Sequence, residues 1–384
     1  MQMLHRNIHR LSGTSLLVWA LLGTSGTATA QSPAAELQRV LAAEVAANPS
    51  LPGELLHVHA PAQGVDTTLA AGVFDRVSGR PLQPRHGFRV ASVTKTFVAA
   101  AILRLHEQGR IGLDDAIARH LCPEQAALLR GDGYAVDSIT VRHLLTHTSG
   151  IHDYATDERY YAAVFADPAR RWTPLEQVRS AMQGGEPHFR PGTGYHYSDT
   201  GYVLLGAILE RLTGQPLARA LRTVLHFDRL GLDDTYLESL EPAPPGAAER
   251  SHTYFGEIDT SAWDPSFDLY GGGGLVSSAR DLARFYRALL RGQVFDRPET
   301  LRTMLTVPPT SVDSPGGPYA IGIQRATIGG EECWGHTGFW GTVVYHCAGP
   351  DVTIVRHTNQ AQPDGSFIYR HLFDQIAGVL GMGG

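Results

Sequence analysis

Strand-like segments stand at both ends of this chain and helical ones fill its middle, an order that narrows the folds open to it. Leu55 to Ala60 and Thr67 to Phe74 alternate as strands, joined by the turn-like Pro61-Ala62-Gln63-Gly64. Far downstream, Tyr319 to Thr327, Glu332 to His336, Thr342 to Cys347 and Val352 to Thr358 are strand-like and closely spaced, which predicts an antiparallel meander. Ala34 to Ala47 and Phe367 to Leu380 read as terminal helices. His143 to His147, Leu175 to Met182, Thr200 to Leu212 and Ala279 to Leu290 are the other main helical segments. One antiparallel sheet completed by the two ends, flanked by helices, with a mostly helical lobe inserted, is an α/β (α+β) architecture. The sheet lobe is expected over about 31–110 and 275–384, and the helical lobe over about 111–274, within a single domain spanning 31–384. A pocket is expected in the cleft between the lobes.

The first 30 residues read as an export signal. Arg6 and Arg10 precede an apolar run, Ser15 to Leu22, and Ala28-Thr29-Ala30 suits a peptidase site. The run is too short for a stable anchor, which needs about 20 residues, and no later segment reaches membrane-spanning length. The expectation is a periplasmic or secreted protein. A formal charge of −6 with no basic arm argues against nucleic-acid partners. The cysteines are Cys122, Cys333 and Cys347. Cys333 and Cys347 flank a predicted hairpin and are placed to face each other across it, either as a bridge or as two buried thiols.

Chemistry concentrates at Ser92-Val93-Thr94-Lys95. Residues i and i+3 share a helix face, so the Lys95 amine falls within hydrogen-bond reach of Ser92. Serine needs an adjacent base to become a nucleophile, and lysine serves as one only when its proton is easily lost. The stretch Thr96 to Leu103 is apolar nearly all round, as a buried helix should be.

Two further elements follow in order: Tyr197-Ser198-Asp199 in the helical region, and His336-Thr337-Gly338 at the end of a predicted strand. With Phe88 to Ala91, Ile139 to Ile151, Pro191-Gly192, Tyr197 to Gly206 and Gly271 to Ser278, the sequence resembles the penicillin-recognising serine hydrolases. These include class C β-lactamases, exported D-alanyl-D-alanine carboxypeptidases, and esterases and aminopeptidases of the same β-lactamase/DD-peptidase-like fold. The resemblance implies Ser92 as the acylated nucleophile, Lys95 as its proton partner and Tyr197 as a second acid–base group whose pKa Lys95 lowers. It implies an oxyanion hole from the backbone N–H groups of Ser92 and Phe339. His336 and Thr337 then take the third motif's place, Thr337 binding a substrate carboxylate, and Gly338 allows close backbone approach. Asp199 departs from the family's usual Asn. An ionised carboxylate cannot donate to a substrate carbonyl and favours a charged Lys95.

Trp263 and Tyr270, ahead of the glycine run Gly271 to Gly274, are placed to wall the pocket or to pack in the core. His143 and His147 have helical i, i+4 spacing and His152-Asp153 follow, yet no glutamate completes a His-Glu-x-x-His, so no metal is expected. Nor is a cofactor. The favoured expectation is D-alanyl-D-alanine carboxypeptidase-like action on a peptidoglycan-type peptide. A β-lactam or small ester as substrate is the alternative within the same chemistry, and a catalytically silent binding protein is the alternative outside it. The absence of Gly-x-Ser-x-Gly from the mature chain argues against an α/β-hydrolase.

Overall fold

The computed structural model describes residues 32–361 and 370–383. The segment read as an export signal lies outside the described residues, as do the first residues of the expected C-terminal helix.

Six strands form the large antiparallel sheet: β1 (Gly53–Ala60), β2 (Val65–Gly72), β3 (Gln324–Ile328), β4 (Glu331–Gly338), β5 (Thr342–Cys347) and β6 (Val352–Thr358). Their spatial order is β2-β1-β6-β5-β4-β3, so the two ends of the chain meet where β1 pairs with β6, Leu56 opposite Arg356. The meander is as expected, except that its first strand starts at Gln324. Tyr319 to Ile323 instead forms a buried connection that returns to β3, Ala320 N–H donating to the Ile323 carbonyl.

Helices cover both faces of the sheet, which is why its central strands are buried on both sides. Leu56, Val58, Val343 and Ile354 point to the face covered by the terminal helices α1 (Pro33–Ala47) and α6 (Arg370–Val379). Leu55, Val344 and Val355 join the main core on the opposite face. There lie α2 (Thr94–Glu107) and α5 (Ala279–Leu290) in the same cluster as the helical lobe, which includes α3 (Pro174–Gly184) and α4 (Asp199–Thr213). Every residue of α2 from Thr94 to Leu105 is buried, consistent with its apolar circumference.

Cys333 of β4 stands opposite Cys347 of β5 and the two are bridged. Closing a loop of this size stabilises a fold by about 3 kcal/mol in the chain-entropy account. Cys122 remains a thiol, at the start of the helix Pro123–Gly131.

Candidate active site

A tight 3-10 turn, Ala91–Val93, delivers Ser92 just ahead of α2. Ala91 adopts φ 46°, a left-handed conformation that disfavours any residue with a Cβ. The turn therefore stores strain directly beside the hydroxyl, a placement found at functional sites. The end of β4 lies hard against it: a Cβ on Gly338 would come within 2.3 Å of the Val90 carbonyl oxygen. Gly338 does permit close approach, to this turn. That contact brings Phe339 beside Ser92, and both line one cavity of about 540 Å³.

Lys95, one turn further on, is fully buried. Its Nζ donates to Ser92 Oγ at 2.8 Å and to the Gly272 carbonyl at 2.7 Å, and it forms an ion pair with Asp199. The amine has two hydrogen-bond acceptors and a carboxylate beside it. Asp199 thus faces Lys95 rather than turning away.

Tyr197 lines the cavity together with Ser92, and its ring centre lies 4.9 Å from Lys95 Nζ. Its hydroxyl does not have the lowered pKa expected from a lysine neighbour. Burial, with the negative charge of Asp199 next, pushes it well above the ordinary tyrosine value. The carboxylate that replaces the family's amide adds to the effect of burial.

His147, considered first as a metal ligand, supports this segment from below. Its ring packs 4.2 Å from that of Tyr197, and its Nδ1 accepts from the Ser198 backbone N–H at 3.1 Å. Among the described residues no group of histidines, cysteines and carboxylates is arranged to hold a metal ion.

His336 is buried, and its Nδ1–H donates to the Thr337 carbonyl at 2.6 Å, leaving Nε2 to accept from the Tyr319 hydroxyl at 3.0 Å. Burial, reinforced by Lys95, pushes its pKa down to about 3. The third motif therefore presents a neutral ring where the family commonly has lysine. Thr337 reaches the cavity beside it.

Two carboxylates that sequence spacing did not bring together also line the cavity, Asp153 and Asp268. Asp153 Oδ1 accepts the backbone N–H groups of Ala155 at 3.1 Å and Asp199 at 3.0 Å, which fixes the start of α4. Asp268 Oδ2 accepts from Trp340 Nε1 at 3.1 Å. Gly273 leaves room for this side chain: a Cβ there would lie 2.2 Å from Asp268 Oδ1. Burial first, then the charge of Asp199, raises Asp153 to about 8 and Asp268 to about 7. The remaining wall is aromatic, with Tyr154, Tyr161, Tyr195, Phe267 and Phe339.

Trp263 is a correction. It does not line this cavity. Its ring packs edge-on against Phe165 at 5.0 Å and Phe267 at 6.0 Å, while its carbonyl accepts from Arg89. Phe267, four residues on, occupies the pocket wall, and Trp263 packs half-buried against the edge of the core. The carboxylates were missed because a lone Asp in a loop carries no spacing signal; Asp153, inside Ile151-His152-Asp153-Tyr154, was weighed only beside histidine.

A family model described as Beta-lactamase matches residues 57–378. The esterase EstB of Burkholderia gladioli is 33% identical over 60% of this chain and 64% of its own length, so the match spans somewhat less than two thirds of that relative. Among solved structures, a D-stereospecific amidohydrolase from Streptomyces sp. is 30% identical, with a TM-score of 0.73 over 88% of this chain and 98% of its own. The D-amino acid amidase from Ochrobactrum anthropi SV3 is 25% identical, with a TM-score of 0.77 over 91% of this chain and 99% of its own. The motif order, the fold and these matches agree: the chain belongs to the Beta-lactamase family, within the penicillin-recognising serine hydrolase superfamily.

Proposed function

We propose that this chain is an exported serine hydrolase that forms an acyl-enzyme on Ser92 and prefers acyl donors carrying an amino group, such as amino acid amides, to donors ending in a carboxylate. The observation that carries this reading is the charge inside the cavity. Asp153, Asp199 and Asp268 face it, His336 is neutral, and Lys95 is already committed to Asp199, Ser92 and Gly272. With its pKa raised to about 7, Asp268 is partly ionised at neutral pH and offers an ammonium group a partner. A carboxylate finds no free cation, since Lys95 is taken and His336 is neutral. The D-amino acid amidase and amidohydrolase likenesses support the same choice. Carboxypeptidase action, favoured by motif spacing alone, ranks below it. Export rests on the N-terminal pattern of Arg6, Arg10 and the apolar run before Ala30.

In this mechanism Lys95 first passes a proton to the Asp199 carboxylate and then takes that of Ser92 as Oγ attacks the carbonyl carbon. The backbone N–H groups of Ser92 and Phe339 receive the oxyanion. Tyr197, still a neutral phenol, gives its proton to the departing amine and regains one from the Lys95 ammonium as the intermediate collapses to an ester. Water then cleaves that ester. Small-ester hydrolysis is the second reading, since an alcohol leaves more easily than an amine and the esterase relative is a sequence match.

Initial rates on D-alaninamide, a D-Ala-D-Ala-terminated peptide, nitrocefin and p-nitrophenyl acetate test the preference. The amide and the ester are expected to exceed the carboxylate-terminated peptide by about tenfold or more. A faster peptide reaction would overturn the preference. Absence of a fluorophosphonate adduct on Ser92 would overturn the enzyme reading itself and favour a silent binder.

A further inference from the structure

A second cleft, of about 380 Å³, opens at the far edge of the sheet, where α5 crosses β1, three strands away from β4. Its outer wall is helical. Arg280, Arg284, Arg287 and Arg291 recur at i, i+4, i+7 and i+11, so they share one face of α5 and its C-cap, while Leu282, Phe285 and Leu289 bury the other. Arg280, Arg284 and Arg287 line the cleft, joined by Arg229 from the short helix Phe227–Leu230.

These arginines differ in how far they are neutralised. Arg287 and Arg291 both bind Asp351 at 2.9 Å. Arg284 donates to the Gly231 carbonyl at 2.7 Å and stands 3.9 Å from Asp281. Among the described residues Arg229 and Arg280 have no ion pair. Across the cleft stand His57 and His59 of β1 and Asp66 of β2, the one carboxylate in the lining. Asp66 lies 3.5 Å from His57 and 3.6 Å from His59. Burial pushes His57 down to about 4, with Asp66 opposing that fall and the charges of Arg280 and Arg284 adding to it. His59 Nε2 is buried without a hydrogen-bond partner. On a chain whose formal charge is −6, this is a concentrated cationic site.

We propose that this cleft binds a phosphate monoester, with Arg229, Arg280 and Arg284 on the phosphate oxygens. Planar guanidinium forks match a tetrahedral dianion and hold it by charge-assisted hydrogen bonds. The volume exceeds what a bare ion fills and suits a body of sugar size attached to the phosphate. A soluble phosphorylated sugar and a phosphatidic acid headgroup both supply this chemistry. The site is independent of the Ser92 chemistry.

Isothermal titration at fixed ionic strength tests the assignment with glucose 6-phosphate, with glucose as the uncharged reference, alongside co-sedimentation with phosphatidic acid vesicles. The expected result is saturable binding of the phosphate ester but not of glucose, weakened about tenfold or more in Arg229→Gln/Arg280→Gln. The double variant should retain wild-type melting and p-nitrophenyl ester hydrolysis, and the charge-matched control Arg302→Gln/Arg325→Gln should bind as wild type. Vesicle binding lost in the double variant, without binding of the free ester, assigns the ligand to a lipid surface. No saturable binding of either probe, or equal weakening in the control, overturns the proposal.

Discussion

The cavity over Ser92 and the cleft beside α5 both gather like charges, and they treat them in opposite ways. Around Ser92 the carboxylates Asp153, Asp199 and Asp268 sit in a largely buried aromatic chamber with one ammonium among them. Burial and mutual repulsion raise Asp153 to about 8 and Asp268 to about 7, so their charge responds to pH near neutrality. Beside α5 the guanidinium groups of Arg229, Arg280 and Arg284 are exposed and stay charged at any working pH. A buried cluster can move protons; an exposed arginine cluster can only attract. Residue type supplies the sign of a charge, and burial decides whether that charge is chemically adjustable.

The sharpest way to separate the two regions is Ser92→Ala. Amide and ester hydrolysis are expected to fall on the order of 10⁴-fold or more, measured by initial rates. Glucose 6-phosphate binding at the α5 cleft should not change. Loss of both would mean that the regions are coupled rather than distinct.

Next in size are the carboxylates. Replacing Asp199 with Asn removes the ion pair that occupies Lys95, and amide turnover at pH 7 should rise by up to about tenfold, read from kcat across pH. Unchanged kinetics across pH would remove Asp199 from the account. Asp268→Asn should raise KM for D-alaninamide roughly tenfold while leaving p-nitrophenyl acetate unaffected. In the wild type, preference for the amino amide should strengthen as pH rises through about 7, where Asp268 ionises. It should fade above about 8, where an α-amino group loses its proton.

The smallest expected effect is on stability. The Asp268 carboxyl has a folded-state pKa of about 7 against an ordinary 3.8, so the folded chain holds a proton that the unfolded chain releases between those values. Its contribution to stability is full below about 3.8 and is lost as pH rises through about 7. Asp268→Asn should therefore melt higher than wild type at pH 8, by on the order of a few degrees, with the gap shrinking toward pH 4. A melting difference that grows toward low pH would contradict the buried-acid description.

The sequence was most readable where a periodic pattern and a local constraint coincide. Ser92 and Lys95 are three residues apart at the start of an apolar helix, and the structure joins them at 2.8 Å. Cys333 and Cys347 flank one hairpin, whose register places them opposite each other. Ala279 to Leu290 was visible as an amphipathic helix and spans those residues. What escaped was long-range convergence. Asp153 and Asp268 are far apart in the chain, and only packing of the helical lobe brings them around one cavity. Protonation escaped too, because the neutrality of His336 and the high pKa of Tyr197 arise from burial and from neighbours supplied by other segments. The exposed face of α5 gave no sign of its partner histidines on β1, since helix periodicity says nothing about what stands across a gap.

The Cys333–Cys347 bridge also reaches the pocket through geometry. His336 and Thr337 both line the cavity from the end of β4, so sliding β4 by one residue along β5 would move both out of place. The covalent link three residues before His336 prevents that shift. A chain matured where thiols cannot oxidise would have to hold this alignment by hydrogen bonding alone, and its loosened strand would blur recognition at the pocket before the fold itself gave way.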